Sequence, residues 1–451
     1  MFLFYDINLK TVSIPFISKQ SSYNFSHLFS GSSTNNKELS VEEVIITGKC
    51  NIYESAFANW TNIKSIKLTG DINEIGVEAF RNCKSLTELI ISPTVTKIGY
   101  GALIGCNNIE TLSIPGTFVI GGVTSAKTTY FGALYTEKNK ADRIMSQENV
   151  PTNIKEIIVT GEKCNDFLFN DCVNITNIKF ADTITEIGGF SLSGCSGITN
   201  IVLSENLKKT AGYTFENCTS LKSITIPSSI EIIGDGTFKG CTGLTSIEIP
   251  NGVAKIERNT FQSCSNLTNI EIPNSVVEIG YGVFSKCTSL TNIEIPNSVT
   301  SIDSFAFNGC TSLKEFTIPS SVNAIDLITF DDMSMLENIY VDEKNPNYSS
   351  IDGVLFNKDK TKILLFPQRK KVKTYTIPDS VITIGYEAFR KCLNLDSVII
   401  PKNVVYIVDG SFIDSPITIL CEVKKPLFGY PNGYSKNCFS GVREVKWGYK
   451  K

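Results

Sequence analysis

The chain has 451 residues, of which 42% are hydrophobic and 19% are charged, and its formal net charge is −3. This balance supplies enough apolar material for a folded core and excludes intrinsic disorder as the main state. A charge so close to neutral, without a clustered basic face, gives no indication of nucleic-acid binding. No apolar run reaches the roughly eighteen residues of a membrane-spanning helix.

The chain contains a single histidine, His27. Most Ser-His and Cys-His catalytic arrangements and metal sites with several histidines are therefore excluded. No phosphate-binding glycine loop, dinucleotide-binding fingerprint or zinc-protease motif occurs in the sequence. Because His27 stands beside Phe25, Leu28 and Phe29, we expect it to pack among them. The sequence predicts neither an enzyme nor a metal or cofactor site.

A period of 23 residues runs through most of the chain and is clearest at the cysteines. Seven of them follow one another at this interval: Cys172, Cys195, Cys218, Cys241, Cys264, Cys287 and Cys310. Three residues after each cysteine comes Leu or Ile, and an Ile-x-Ile pair that ends in proline follows in the most regular units. A Val-x-x-Ile stretch comes next, and a phenylalanine stands three residues before the next cysteine. This regularity indicates a repeat protein.

The repeat unit has the pattern of short strands. The alternation in x-Ile-x-Ile-Pro predicts a β-strand with one buried face, and proline fits at its end because it cannot donate to the ladder. The Val-x-x-Ile stretch predicts a second short extended or turning segment. A single unit cannot bury its apolar side chains, whereas stacked units cover one another. The sequence therefore predicts a solenoid with a parallel sheet along one side of an elongated, curved body.

Two segments carry a family resemblance: CSNLTNIEIPNSVVEIGYGVFSKC and CTSLTNIEIPNSVTSIDSFAFNGC. They resemble the BspA-like leucine-rich repeats, also called the Treponema pallidum type, and the resemblance covers roughly residues 37–412. It implies an α/β leucine-rich-repeat solenoid, rich in β structure, that coils right-handedly with its parallel sheet on the concave side. It also implies a secreted or surface-attached protein that adheres to host or matrix proteins.

Breaks in the period divide the chain. We predict an N-terminal partial module or cap at 1–36, repeats at 37–115, an insert at 116–153, repeats at 154–330, a β-hairpin insert at 331–374, repeats at 375–415 and a C-terminal cap at 416–451. The first module and the first insert look like two copies of one element, which hints that the chain begins inside the repeat. In the second insert, residues 350–356 and 363–366 flank a polar turn and predict the hairpin. The basic run 369–373 predicts a solvated loop, with a patch for an acidic partner as the alternative.

The cysteines allow three interpretations. Stacked coils bring equivalent residues about 4.7–5 Å apart, which is within the Cα separation of a disulfide. However, leucine-rich repeats commonly place Asn or Cys at this turn, and free cysteine is among the most buried residue types. We therefore expect buried structural thiols rather than disulfides or a metal site. Cys421 and Cys438, outside the ladder, are the best candidates for a bridge.

The residues five and seven positions after each cysteine are predicted to face outward, opposite the Ile pair. In four consecutive units they are Ser246 and Glu248, Asn269 and Glu271, Asn292 and Glu294, and Glu315 and Thr317. Glutamates on neighbouring rungs repel one another unless a cation or a basic partner meets them. These eight residues are our candidate partner-binding surface on the concave face. A salt-screened, solvated face copied by repeat duplication and a divalent-ion site are the alternatives.

The repeat and the missing catalytic residues predict a non-catalytic protein-interaction module. We expect an adhesin-like or scaffolding solenoid that binds a protein partner, for example a host or matrix protein, through its concave sheet. The alternative is a structural spacer that holds another domain or an anchor at a surface. We expect no cofactor, no nucleic acid and no transmembrane segment. The resemblance favours the cell surface or secretion, while the lack of a secretory leader in this chain keeps the cytoplasm open.

Overall fold

The computed structural model describes residues 9–15, 40–121, 131–136, 150–424, 434–435 and 437–450. Regular structure in these residues is almost entirely short strands, and its helical part is two 3-10 helices, Phe131–Tyr135 and Leu327–Phe330. A regular coil contributes a primary strand, which carries the Ile pair, and a shorter secondary strand from the Val-x-x-Ile stretch. The predicted leucine-rich-repeat solenoid is confirmed. His27, most of the N-terminal module and most of the first insert lie outside the described residues.

The first compact unit is Met1–Leu244, and its strands are numbered in chain order. Its primary strands form one eight-stranded parallel sheet: β1 (Thr11–Ile14), β2 (Glu43–Ile46), β3 (Ser65–Leu68), β5 (Glu88–Ile91), β7 (Thr111–Pro115), β9 (Glu156–Thr160), β11 (Asn177–Phe180) and β13 (Asn200–Val202). Its secondary strands form two parallel sheets: β4 (Glu74–Ile75), β6 (Lys97–Gly99) and β8 (Val119–Gly121), then β10 (Lys163–Cys164), β12 (Glu186–Ile187), β14 (Lys209–Thr210) and β15 (Ile232–Ile233).

The second compact unit is Thr245–Lys451. Its primary strands form three parallel groups: β16 (Ser246–Glu248) with β18 (Asn269–Glu271), β21 (Glu315–Ile318) with β23 (Asn338–Val341), and β27 (Thr374–Thr376), β29 (Ser397–Ile400), β31 (Thr418–Cys421) and β32 (Glu444–Trp447). The secondary strands β17 (Lys255–Ile256), β19 (Glu278–Ile279), β20 (Ser301–Ile302) and β22 (Ala324–Ile325) form a parallel sheet. A mixed sheet contains β24 (Tyr348–Ile351), β25 (Val354–Asn357), β26 (Lys362–Leu365), β28 (Thr383–Ile384) and β30 (Tyr406–Ile407).

The strands pair in the register that the 23-residue period requires. Ile178 lies opposite Ile201 in the first unit, and Ile247 lies opposite Ile270 in the second. Because each strand meets its own copy, the inward isoleucines form continuous rows, and the residues between them point outward. The repeat therefore buries its apolar side chains only by stacking.

The interior is built from the same residue in coil after coil. Phe57 stacks on Phe80 with ring centroids 5.6 Å apart in the first unit, and Phe284 lies 5.7 Å from Phe261 and 5.3 Å from Phe307 in the second. All five rings are fully buried. Such offset stacks add a favourable ring–ring term to the hydrophobic burial.

The inserted hairpin is present but smaller than the insert predicted at 331–374. β25 pairs antiparallel with β26, as expected, and β24 adds a third antiparallel strand that was not predicted from the sequence. Within the same segment, β23 pairs parallel with β21 and so continues the repeat. Parallel pairing also continues through β31 and β32 in the segment predicted as a cap. Neither β23 nor β32 ends in an Ile-Pro pair, which is why the pattern missed them.

Candidate functional site

The eight predicted surface residues lie on or beside primary strands of the second unit, and all eight are exposed: Ser246, Glu248, Asn269, Glu271, Asn292, Glu294, Glu315 and Thr317. Their exposure follows from strand geometry, because the intervening Ile247, Ile270, Ile293 and Phe316 are buried. Ser246 lies opposite Asn269 and Glu248 opposite Glu271. Asn292 and Glu294 occupy the same repeat positions but fall outside any assigned strand.

We call Glu248, Glu271 and Glu294 the acidic row. Parallel strands lie about 4.8 Å apart, and two unit charges at that separation repel by about 1 kcal/mol even in bulk water. Within the described part of the chain, none of the three carboxylates has an ion-pair or hydrogen-bond partner. On the fourth rung Thr317 takes the row position, and Glu315 lies in the neighbouring column of Ser246, Asn269 and Asn292. Its Oε1 accepts hydrogen bonds from Asn338 Nδ2 at 3.2 Å and from the Tyr340 hydroxyl at 3.3 Å.

The secondary strands of the same coils treat their charges differently. Lys255 Nζ lies 2.9 Å from Glu278 Oε1 and 3.4 Å from Glu257 Oε2. The pKa of Lys255 is raised, first by its hydrogen bond to Glu278. On these secondary strands, lysine and glutamate therefore neutralise each other. The acidic row lacks such a lysine.

The cysteine ladder is structural, as predicted. Cys287 Sγ and Cys310 Sγ each donate to the carbonyl oxygen of the phenylalanine 26 residues earlier, Phe261 and Phe284, at 3.1 Å. Burial raises the pKa of the Cys310 thiol to about 12. A thiol that stays protonated is a poor nucleophile and a poor metal ligand. These side chains fill the turn and satisfy a buried carbonyl. Cys421 and Cys438 are also buried.

The prediction of a solvated basic run at 369–373 was wrong for Lys370. Its ammonium donates to Asn338 Oδ1 and to the carbonyl oxygen of Asp352, and the residue is buried. Desolvation lowers the pKa of Lys370. Lys371 Nζ in turn contacts Glu337 Oε2 at 2.8 Å. Through the contacts of Lys370 and Lys371, part of the run holds the hairpin against the neighbouring repeat, and Lys370 is not solvated.

A pocket of about 570 Å³ that the sequence does not predict lies beside the hairpin. Arg390 Nη1 lies on its wall and contacts Asp331 Oδ1 at 2.8 Å and Glu387 Oε2 at 3.0 Å. The neighbouring Lys391 pairs with Asp332. Both ion pairs across this wall join residues 59 apart, and this spacing is not a multiple of the repeat. The sequence shows two adjacent basic residues and two adjacent acidic ones, but it does not show that they pair.

A family model for the BspA type leucine rich repeat region matches the chain in six copies, over residues 50–125, 162–265, 254–369 and 362–426. The chain belongs to this family. The BspA-type chain is 24% identical to the leucine rich repeat protein of T. pallidum, over 35% of this chain and 77% of that one, with a TM-score of 0.33. No curated protein matches it.

Two further solved structures are similar over more of the BspA-type chain. A leucine rich cell surface protein from Faecalibacterium prausnitzii is 22% identical over 76% of this chain and 88% of that one, with a TM-score of 0.46. A leucine-rich repeat protein from Bacteroides ovatus is 22% identical over 97% and 84%, with a TM-score of 0.39.

The leucine-rich-repeat family is generally a non-catalytic protein-interaction fold, and BspA-type proteins are typically secreted or at the cell surface. Among the residues that the structure describes, no helix has the length and apolar character to cross a bilayer. The same residues contain no cluster of three or more His, Cys, Asp or Glu side chains that could hold a metal ion.

Proposed function

We propose that this BspA-type solenoid is an adhesin-like surface module that binds a protein partner through the outward face of the primary strands in its second unit. The single observation that carries the proposal is the acidic row, three exposed carboxylates on successive rungs without a cationic neighbour in the described part of the chain. A basic segment of a partner relieves the repulsion within the row. Electrostatic complementarity of this kind speeds association and selects the partner.

The neutral outward residues extend the same face. Ser246, Asn269 and Asn292 flank the row with exposed groups that both donate and accept hydrogen bonds. Beyond the row, Tyr340 is 42% exposed, and tyrosine is enriched at protein interfaces because it combines apolar area with a polar tip. The face is polar at the row and partly aromatic beside it, which suits a protein partner better than a small apolar ligand.

The test is charge reversal of the whole row. The variant Glu248→Lys, Glu271→Lys, Glu294→Lys is compared with the wild-type chain in binding to a panel of purified extracellular-matrix and cell-surface proteins. We expect the dissociation constant for the partner to rise by about tenfold or more, which corresponds to about 1.4 kcal/mol of binding free energy. We also expect the wild-type association rate to fall with added salt, because screening weakens long-range attraction.

The chain provides a control with the same change in net charge. Glu343, Asp359 and Asp379 are exposed acidic residues of the same unit outside the row. The triple lysine variant at these positions is expected to bind as the wild type does. Binding that survives reversal of the row, or that falls equally in both variants, contradicts the proposal. A chain that binds none of the proteins in the panel contradicts it as well.

A further inference from the structure

Lys370 is the only charged residue that is buried among those that the structure describes, with 9% of its surface exposed. Phe366 stacks on Phe389, which stands three residues before Cys392. By the same spacing, Arg369 takes the cysteine slot of its own coil, and Lys370 follows it. Regular coils of this unit have serine or threonine at that position: Ser265, Thr288 and Thr311. The repeat therefore does not require a lysine here, and a buried ammonium is costly.

The side chain of Lys370 is directed at a side-chain amide. Its Nζ donates to Asn338 Oδ1 at 3.1 Å and to the carbonyl oxygen of Asp352. The other end of the same amide, Asn338 Nδ2, donates to Glu315 Oε1 at 3.2 Å. A lysine ammonium only donates and a carboxylate only accepts, so these two neighbours fix which end of the amide is the oxygen. An amine, a carboxamide and a carboxylate are thus in contact, in that order.

Two primary strands and the inserted hairpin position these groups. β21 and β23 pair in parallel with Glu315 directly opposite Asn338. Gly353, in the turn between β24 and β25, packs against the amide, because a Cβ there would lie 2.4 Å from Asn338 Oδ1 and 2.9 Å from Asn338 Cγ. The Gly353 carbonyl oxygen accepts a hydrogen bond from the backbone N–H of Ile339 at 2.9 Å. The amide is therefore held between the hairpin and the neighbouring strand, beside the lysine.

The surroundings of Lys370 favour a reactive amine. Both acceptors of its Nζ are neutral oxygens, and Lys370 forms no ion pair with a carboxylate of the described residues. Desolvation lowers the pKa of Lys370, while the carboxylate of Asp352 acts in the opposite direction. A buried lysine gives up its proton more readily than a solvated one, and the neutral amine is the nucleophilic form.

The fold also supplies proximity. Holding an amine beside an amide replaces a bimolecular encounter by an intramolecular one, which corresponds to an effective concentration of about 10⁵–10⁸ M in well-oriented cases. A carboxylate that already contacts the leaving nitrogen can transfer protons during the reaction, as Glu315 does in its position at Asn338 Nδ2. All the groups that an amide exchange needs are therefore present.

We propose that Lys370 and Asn338 join in an intramolecular isopeptide bond. Lys370 Nζ, as the neutral amine, attacks Asn338 Cγ, and the bond between Asn338 Cγ and Nδ2 breaks. Glu315 takes the proton that Nζ loses and delivers it to Nδ2, which leaves as ammonia. One amide replaces another, so the step needs no oxidant, reductant or cofactor. The product buries a neutral amide in place of an unpaired ammonium.

The bond lies where the primary sheet is interrupted. β23 pairs with β21 and β27 pairs with β29, but β23 and β27 belong to separate sheets. The two bonded residues are 32 apart in the chain, and strands β24, β25 and β26 are inserted between them. Because a solenoid is stabilised by contacts between neighbouring coils, a covalent bond at this place compensates for the missing strand pairing. This role is independent of the acidic row and of any partner.

The mass of the full chain tests the proposal. The denatured and reduced wild-type chain is expected to be lighter than its sequence by one ammonia. Proteolytic digestion is expected to yield a branched peptide that joins Asn338 to Lys370. The variants Lys370→Arg and Asn338→Ala are expected to have the full mass. Lys371→Arg, a matched change at the exposed neighbouring lysine, is expected to keep the loss of ammonia.

A second readout tests the covalent connection between the two sides of the hairpin. A cleavage site for a specific protease is inserted in the exposed turn at 358–360, and the folded chain is cut there. On a denaturing, reducing gel the cut wild-type chain is expected to migrate as one piece. The cut Lys370→Arg chain is expected to separate into two.

The role of Glu315 is tested by the rate at which the bond forms. Glu315→Gln keeps the size of the side chain but removes the group that transfers the proton. In freshly synthesised chain sampled over time, the ammonia loss is expected to slow by about 100-fold or more. Glu343→Gln, at an exposed glutamate of the same unit, is expected to react at the wild-type rate. An unchanged rate in Glu315→Gln overturns the assignment of proton transfer to Glu315.

The wild-type mass decides the proposal without any variant having to fold. A chain that keeps its full mass after prolonged incubation overturns the proposal and leaves Lys370 as a buried hydrogen-bond donor. Conversion of Asn338 to aspartate without a branched peptide overturns it as well, because water is then the nucleophile. A branched peptide that joins other residues, or an equal loss of ammonia in Lys370→Arg, has the same consequence.

Discussion

The primary strands of both units carry charges on their outward side, but the coils around β3 pair theirs, whereas the acidic row of the second unit stays unpaired among the described residues, in contrast to Glu444 and Lys446 on β32. In the first unit, Lys67 Nζ lies 3.0 Å from Glu43 Oε1 and 3.3 Å from Glu88 Oε2. The pKa of Lys67 is raised by its hydrogen bonds to these two carboxylates. In the second unit, the acidic row has no lysine between its rungs.

The fold therefore does not dictate the outward charges. Both units bury the same isoleucine, phenylalanine and cysteine positions, and both pair their strands in parallel. The stack accepts Lys67 in one coil, Ile45 and Ile90 at the same position in its neighbours, and bare glutamates elsewhere, so it does not dictate which residue an outward position carries. Folding of the stack therefore does not require the repulsion in the acidic row. Binding of a partner at this surface would give the row a role.

If the interiors of the two units are equivalent, loss of a buried ring should destabilise each unit strongly and to the same extent. Phe80→Ala in the first unit and Phe284→Ala in the second each remove a fully buried ring. We expect each to lower the free energy of unfolding by about 3–5 kcal/mol. Urea denaturation followed by hydrogen exchange in the flanking coils measures this. If Phe284→Ala costs far less than Phe80→Ala, the second unit has a looser interior, and its surface charges need no partner to explain them.

Lys67→Glu makes the first unit resemble the second. The substitution removes two attractive contacts and places a third carboxylate on the rung between Glu43 and Glu88, diagonal to both, because their direct cross-strand partner is Ser65. We expect a loss of about 1–2 kcal/mol, because cross-strand charge pairs contribute about 0.2–1 kcal/mol each and like charges reverse the sign. Protection of the β3 amides from hydrogen exchange reports the change. Lys67→Met is the control, because it keeps most of the apolar stem, and it should lose less than the glutamate variant does.

The regular coils could be predicted from the sequence because a perfect period repeats every contact. The position of Ile270 opposite Ile247 and the exposure of Glu271 both follow from a period of 23 along the chain and a period of two along the strand. The buried thiols, such as Cys287, followed from the same register. These features recur, so each copy supports the others.

The features that the sequence left out occur once. Lys370 is buried because it meets Asn338 and Asp352 across a break in the period, and no second copy of that contact exists to reveal it. The pairing of Arg390 with Asp331 likewise depends on the length of the inserted hairpin.

Removal of one charge from the acidic row tests the repulsion within it directly. Glu271→Gln removes the central charge while keeping the size of the side chain, so we expect the free energy of unfolding to rise by about 0.2–1 kcal/mol at low salt. At about 1 M salt the screening length falls to about 3 Å, and this gain should vanish. Lys67→Gln should show the opposite sign and the same convergence with salt. Hydrogen exchange of the β18 and β3 amides measures both. A loss of stability on Glu271→Gln would mean that this carboxylate makes a favourable contact inside the chain, and the reason for assigning the row to a partner would then be gone.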